Sequence, residues 1–131
     1  MPQWTPLDDA QLSPEARAVF DDIRTTRSTD YVNDVWRVMA HDPALLARCW
    51  REVKETMGAG ALDPLIKELI YVAVSMTNGC DYCVGTHTAS ARAKGMTDAQ
   101  YGELLAVVGL ANKLNKVVAG MQVELDARYR G

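Results

Sequence analysis

The sequence predicts an all-α protein of about six helices, on two observations. Helix-start signals recur, in which a capping side chain precedes a proline or stands three residues before a glutamine. Glycines stand where most of these segments should end. No alternating apolar pattern with hairpin turns indicates a strand elsewhere. We expect helices at 14–27, 31–40, 43–57, 64–77, 80–94 and 98–128.

The first three helices follow from caps and glycines. A Ser-Pro-Glu motif at 13–15 supplies an N-cap, a proline at the first helical position and an acid in the first turn. The second helix is expected at 31–40. An Asp-Pro pair at 42–43 begins the third, and glycines at 58 and 60 end it.

The fourth and fifth helices meet at a short turn. An Asp-Pro pair at 63–64 begins the fourth, and Asn-Gly at 78–79 ends it. The segment 70–74 has strand propensity, but the cap and a length of about 14 residues favour a helix. Its apolar residues lie almost all round, as in a buried central helix. The fifth helix begins at Cys80, and the glycine at 95 ends it.

The sixth helix begins at a capping box formed by Thr97 and Gln100. We expect a break near Gly109 or the asparagines at 112 and 115. Since 104–118 and 64–77 are too apolar for a small monomer to cover on every face, we expect a homo-oligomer.

Length and composition fit one globular domain over residues 1–131. Hydrophobic residues make up 48% and charged residues 24%, which is ordinary for a soluble protein. A net charge of −3 without a basic cluster argues against nucleic acid or an anionic membrane as partner. We find no apolar run of about 18 residues and no secretory signal pattern, so we expect a cytoplasmic protein.

Two of the three cysteines, Cys80 and Cys83, form a C-x-x-C pair, which in a reducing compartment indicates redox chemistry or metal binding. The third, Cys49, is expected to be a small buried hydrophobe. At 100° per residue, Cys80, Cys83 and His87 lie within about 60° on one helix face. Cys80 at the helix N-terminus gains from the helix dipole, and His87 is the i+4 neighbour of Cys83.

Glu68 is expected beside this face. The turn at 78–79 is short, so the two helices should be antiparallel with axes about 8–10 Å apart, which puts Glu68 and His87 at similar depth. Glu68 has Leu65, Leu69 and Val72 around it, where an acid is costly to bury without a partner. A contact with His87, direct or through water, would supply that partner.

This constellation predicts a dithiol enzyme with a proton relay. His87 would take a proton from a cysteine, Glu68 would orient His87, and the thiolate would attack a substrate. A purely structural interpretation is that Glu68 belongs to a polar stripe with Lys67, Tyr71 and Ser75, and that His87 is a satisfied core histidine.

A zinc site is the chemical rival, with Cys80, Cys83, His87 and Glu68 as its four ligands. The sequence offers no second C-x-x-C and no H-x-x-x-H to complete a structural site, and His41 lies far along the chain. We therefore expect neither a metal nor another cofactor.

The pattern E-x11-C-x2-C-x3-H, met by Glu68, Cys80, Cys83 and His87, resembles the core of alkylhydroperoxidase D-like (AhpD-like) proteins of the carboxymuconolactone decarboxylase superfamily. The segment 35–46 is similar to the usual lead-in of these proteins. The resemblance covers roughly residues 30–125.

The resemblance implies an all-α fold with the C-x-x-C pair at the start of a central helix, and assembly into trimers or hexamers with the site near a subunit interface. It implies reduction of hydroperoxides by a dithiol–disulfide cycle that a thiol or dithiol reductant renews. In that scheme Cys83 attacks the peroxide and Cys80 resolves.

One departure keeps alternatives open. The best-known peroxidases of the family have a second histidine where this chain has Tyr82. Another dithiol enzyme, such as a disulfide reductase, therefore remains an alternative. A decarboxylase-like enzyme is a weaker one, because that branch generally lacks the cysteine pair. A non-catalytic metal-binding or redox-sensing helical oligomer is the last.

Overall fold

The computed structural model describes residues 2–131, and over these residues it contains helices and no strand. The all-α prediction with six helices is therefore confirmed. Two short 3-10 turns, Asp9–Gln11 and Ala127–Tyr129, were not expected. The α-helices are α1 (Pro14–Arg27), α2 (Asp34–Met39), α3 (Pro43–Met57), α4 (Pro64–Asn78), α5 (Asp81–Ala93) and α6 (Asp98–Met121).

Four helices begin where their caps predict. The side chains of Ser13, Asp42 and Asp63 accept backbone hydrogen bonds at the starts of α1, α3 and α4. Thr97 and Gln100 form the reciprocal capping box of α6. Each side chain satisfies a backbone N–H group that the first helical turn leaves without a partner.

The second and sixth helices depart from prediction. The N-cap of α2 is Asn33, so the helix begins at Asp34 rather than at residue 31. Helix α6 ends at Met121 instead of residue 128, because Gln122 adopts a left-handed backbone with φ 53°. No break occurs within α6, since Asn112 and Asn115 donate to carbonyls one turn back and stay within the helix.

The chain divides into two compact units, of which the first ends at Gly58. Its helices enclose an apolar cluster, against which Cys49 packs half-buried. Asp9 forms salt bridges with Arg24 and Arg37, which fasten the first 3-10 turn to α1 and α2. The cluster consists of Leu12, Ala16, Phe20, Ile23, Val32, Trp36, Ala40, Leu46 and Trp50.

The second unit is Ala59–Gly131, in which α4 packs against both α5 and α6. The expectation that α4 is buried all round is wrong. Its buried residues are Glu68, Val72 and Ser75, whereas Ile66 and Val74 are about half exposed. One face of α4 thus points away from the neighbouring helices of its own unit. The prediction of a single domain over residues 1–131 stays a prediction.

Helix α6 is long and apolar enough, by length and composition alone, to cross a membrane. Little of its most apolar part is buried in the structure. In the sequence this segment is not an uninterrupted apolar run, because Lys113 and Lys116 lie within it.

Candidate active site

The turn between α4 and α5 brings the site residues together. Gly79 ends α4 with a left-handed backbone, φ 71°, which glycine adopts without steric cost. The backbone N–H of Cys80 then donates to the carbonyl of Ser75 at 3.0 Å. This tight connection returns α5 antiparallel to α4, as the Asn-Gly pair predicted, so that Glu68 and the end of α5 are neighbours.

The cysteine pair lies at the N-terminus of α5. Cys80 is the N-cap residue and Cys83 lies in the first turn, and the two form a disulfide with their Cα atoms 5.3 Å apart. The backbone N–H of Cys83 donates to Sγ of Cys80 at 3.3 Å. Both cysteines are half-buried, and the side chain of Tyr82 between them is exposed.

Glu68 is buried, with 4% of its surface exposed, and three donors from α5 surround its carboxylate. Nδ1 of His87 lies 2.7 Å from Oε2, so the predicted contact is direct. Ser90 Oγ donates to Oε1 at 2.8 Å, and Lys94 Nζ donates to the same oxygen at 2.9 Å.

These contacts set the ionisation of the site. Burial on its own raises the pKa of Glu68. The hydrogen bonds from His87, Lys94 and Ser90, together with the charge of Lys94, outweigh burial and lower that pKa to about 2. The carboxylate is therefore ionised at neutral pH and can only accept hydrogen bonds. It follows that Nδ1 of His87 carries a proton, which leaves Nε2 as the basic nitrogen of the neutral ring.

Tyr71 contacts one face of the His87 imidazole. Its ring stacks on that of His87 with centroids 3.6 Å apart and planes inclined by 19°. A ring held at its edge by Glu68 and on its face by Tyr71 has little freedom to rotate. The structure thus places Tyr71, first considered as part of a structural stripe, against the histidine of the site.

Sequence reasoning missed Ser90 and Lys94, although a signal was present. The two residues follow His87 by three and seven positions, which is the spacing of a single helix face. Neither residue was predicted to belong to the site. Residues 2–131 contain no group of three His, Cys, Asp or Glu side chains that could hold a metal ion. The expectation of neither a metal nor another cofactor stays a prediction.

Comparison with known proteins places this site in a family context. The model of the carboxymuconolactone decarboxylase family matches residues 43–124, which include Glu68, Cys80, Cys83 and His87. The crystal structure of an alkylhydroperoxidase AhpD core from Rhodospirillum rubrum superposes with a TM-score of 0.94 and 55% sequence identity, and the match covers 98% of this chain and 97% of that one.

A second relative is an uncharacterized protein of Cupriavidus necator, which is 33% identical over 82 residues. That match covers 63% of this chain and 73% of the relative. The family match and the superposition on the alkylhydroperoxidase core confirm the AhpD-like resemblance and the all-α fold.

Proposed function

Because the chain belongs to the carboxymuconolactone decarboxylase family, we propose that it is an AhpD-like thiol peroxidase that reduces hydroperoxides. One observation carries the proposal: a cysteine pair at the start of α5 that can form a disulfide lies one turn before His87. The ionised carboxylate of Glu68 orients this histidine. The similarity to an alkylhydroperoxidase core over nearly the whole chain supports an oxidoreductase.

In the first step, Nε2 of His87 takes the proton of the Cys83 thiol, four residues earlier on the same helix. The Cys83 thiolate attacks the terminal oxygen of the hydroperoxide, and the O–O bond breaks. A sulfenic acid forms on Cys83, and the departing alkoxide takes the proton from His87 and leaves as an alcohol.

In the second step, Cys80 attacks the sulfenic sulfur of Cys83. The S–S bond forms, and the sulfenic oxygen leaves as water after gaining the proton of the Cys80 thiol. The two sulfurs are already on one face and in one helical turn, so this step needs little movement of α5. An external thiol or dithiol then reduces the disulfide by exchange.

A disulfide reductase is the second candidate, and the N-terminus of α5 favours it. Sγ of Cys80 accepts the Cys83 backbone N–H, and this donor together with the helix dipole would stabilise a Cys80 thiolate. A dipole can activate a thiol but cannot return a proton to a departing alcohol, whereas His87 can do both. Peroxide cleavage therefore favours Cys83 as the attacking residue, and disulfide exchange favours Cys80.

Single serine variants distinguish these functions. After treatment with one equivalent of an organic hydroperoxide and a sulfenic-acid trap, we expect Cys80→Ser to accumulate trapped sulfenic acid at Cys83, since no resolving thiol remains. Cys83→Ser should stay unlabelled. The reverse labelling, or labelling of neither variant while a disulfide substrate is reduced, would contradict the peroxidase and favour the reductase.

We also propose that the active protein is a homo-oligomer, a trimer or hexamer as the family resemblance implies. Exposed apolar residues recur at helical spacing on the second unit, and a second copy of the chain is the partner that best fits an apolar face. On α4 these residues are Ile66, Ile70 and Val74, and on α6 they are Val107, Leu110, Leu114, Val117, Val118 and Met121.

We further propose that the protein is soluble and cytoplasmic. The similarity to a crystallised alkylhydroperoxidase core over 98% of the chain supports solubility. A disulfide that must reopen in each cycle needs a compartment that supplies reducing thiols, as the cytoplasm does. The apolar surface of α6 is then a subunit contact, with no membrane and no nucleic acid as partner.

A further inference from the structure

Lys94 takes no part in the proton transfers proposed above, yet it contacts the carboxylate at the centre of the site. Its Nζ donates to Oε1 of Glu68 at 2.9 Å and to Oγ of Ser90 at 2.9 Å. The lysine is the C-cap residue of α5, and its side chain is 37% exposed whereas that of Glu68 is 6% exposed. A partly exposed cation thus reaches inward to a buried carboxylate.

The relay faces an electrostatic problem that this contact solves. A buried carboxylate with a histidine as its only neighbour favours the imidazolium, because the protonated ring is then the only cation that can compensate the negative charge. A histidine held permanently as imidazolium cannot accept the proton of a thiol. A second, permanent cation on the same carboxylate compensates its charge whether or not His87 is protonated.

We propose that Lys94 is a positioning residue that balances the charge of Glu68 and thereby lets His87 lose and regain its proton during turnover. The role of Lys94 in turnover rests on the proposed function. The effect of its charge on the protonation of His87 involves only Glu68, His87 and Lys94. Ser90 is the bridge of this arrangement, since its hydroxyl donates to Glu68 and accepts from Lys94.

The groups that face Glu68 and His87 come from two helices. From α5 they are His87, Ser90 and Lys94, and from α4 the Tyr71 ring stacks on the imidazole. Helix α6, which packs against α4 as well, carries titratable groups at Asp98, Tyr101, Glu103, Lys113 and Lys116. Of these, Asp98 pairs with Arg92, and Tyr101 lies beneath the same guanidinium.

The test is an NMR titration of the His87 ring in the disulfide form, where no thiol of the pair titrates. Removing the Lys94 charge should let Glu68 hold the imidazolium more tightly, so Lys94→Met should raise the titration midpoint of His87 by about one pH unit. Lys94→Arg keeps the charge and should restore the wild-type midpoint. Ser90→Ala keeps the charge but loses a hydrogen bond, and should move the midpoint by less than half as much.

Lys113→Met removes an exposed lysine from α6 and serves as the matched control, with an unchanged midpoint expected. If Lys94→Met does not fold, Lys94→Gln, which retains a donor without the charge, gives the same measurement. An unmoved midpoint in the neutral Lys94 variant would overturn the proposal. So would equal shifts in Lys94→Arg and Lys94→Met, or in Ser90→Ala and Lys94→Met.

Kinetics complete the experiment. In the reduced protein, the acidic limb of the rate of peroxide consumption should move upward with the His87 midpoint in Lys94→Met and return in Lys94→Arg. A rate reduced equally at every pH would mean that Lys94 is merely structural, which overturns the proposal. Because the NMR titration needs no turnover, it tests Lys94 even if hydroperoxides prove not to be substrates.

Discussion

At the scale of single residues, Glu68 is the group on which the site depends. A carboxylate with 4% exposure would ordinarily be neutral or destabilising, since burial disfavours its charge. Three donors on one face of α5 reverse that preference. The same contacts join α5 to α4, so the charge that orients His87 also contributes to the packing of the two helices.

The lowered pKa of Glu68 makes stability depend on pH. Its folded value of about 2 lies below the ordinary 4.5, so the ionised form stabilises the fold above about pH 4.5, and this contribution is lost as the pH falls towards 2. The shift corresponds to about 3 kcal/mol at neutral pH. We expect Glu68→Gln to be less stable than wild type at pH 7, and the difference to vanish near pH 2.

Thermal melting between pH 7 and 2 measures this difference. Asp9 and Asp22 also have lowered pKa values, because of hydrogen bonds from Arg24 and Lys54 respectively, but they act equally in both proteins and cancel. A difference in stability that stays constant with pH would show that the pKa of Glu68 is the same in the folded and unfolded protein, and would contradict the prediction.

The same variant tests the relay. Glu68→Gln keeps the side-chain volume but removes the charge that orients His87, and loss of one acid–base partner typically costs about 10²–10⁴-fold in rate. We expect single-turnover oxidation of the cysteines by hydroperoxide to slow within this range while the helical circular dichroism is retained. Oxidation at the wild-type rate would mean that Glu68 is structural.

The Glu68–His87 contact could be predicted from the sequence because a two-residue turn fixes the register of two antiparallel helices. Lys94 could not be predicted so directly. A lysine near a helix end is ordinarily a solvated residue that favours the dipole, and only its rotamer decides whether it turns inward. Tyr71 was considered for the wrong reason, since a stack on His87 requires side-chain directions that spacing alone does not give.

At the scale of helices, the ends that could be predicted from the sequence are those with strong capping residues. Helices α1, α3, α4 and α6 have side-chain caps and begin where predicted, because such caps act locally. The end of α6 was missed, because Gln122 adopts the left-handed backbone without being glycine or asparagine. The expected break was wrong because Asn112 can satisfy its amide within the helix.

The turn at Gly79 gives a prediction at this scale. A side chain is strained at φ 71°, so Gly79→Ala should lower the free energy of unfolding by about 1 kcal/mol. Gly85 provides the matched control. It lies within α5 with open space where a Cβ would stand, so Gly85→Ala should raise stability by up to about 1 kcal/mol.

Chemical denaturation of the two glycine variants, both with the disulfide intact, measures these opposite effects. Gly79→Ala should also slow disulfide closure, since the turn places Cys80 at the start of α5. Equal effects of the two substitutions would indicate that helix propensity, rather than the turn, controls how α5 joins α4.

At the scale of the whole molecule, the two units differ in what they bury. The first has a contiguous apolar cluster that includes Phe20, Leu46 and Trp50. The second buries a carboxylate and a serine with few apolar residues, and leaves most of its large hydrophobics exposed. The apolar character of 64–77 and 104–118 predicted this excess of exposed hydrophobic residues. The sequence of one chain, however, cannot give the shape of the partner surface that would cover them.

That imbalance leads to the prediction of a homo-oligomer. Sedimentation at micromolar concentration should give three or six times the chain mass of 14.4 kDa. Val107→Glu places a charge in the exposed apolar stripe of α6 and should shift the protein towards monomers, because burying an unpaired charge in a contact costs several kcal/mol. Tyr31→Glu, at an equally exposed position of the first unit, is the control and should leave the mass unchanged.

The same measurement separates a subunit contact from a membrane contact. If α6 packs against another copy of the chain, wild type should sediment as a discrete species in detergent-free buffer and should not float with lipid vesicles. Lys113 and Lys116 favour that outcome, since both charges would be costly within a bilayer. A wild-type monomer at micromolar concentration that partitions into vesicles would instead assign the apolar face of α6 to lipid and contradict the oligomer.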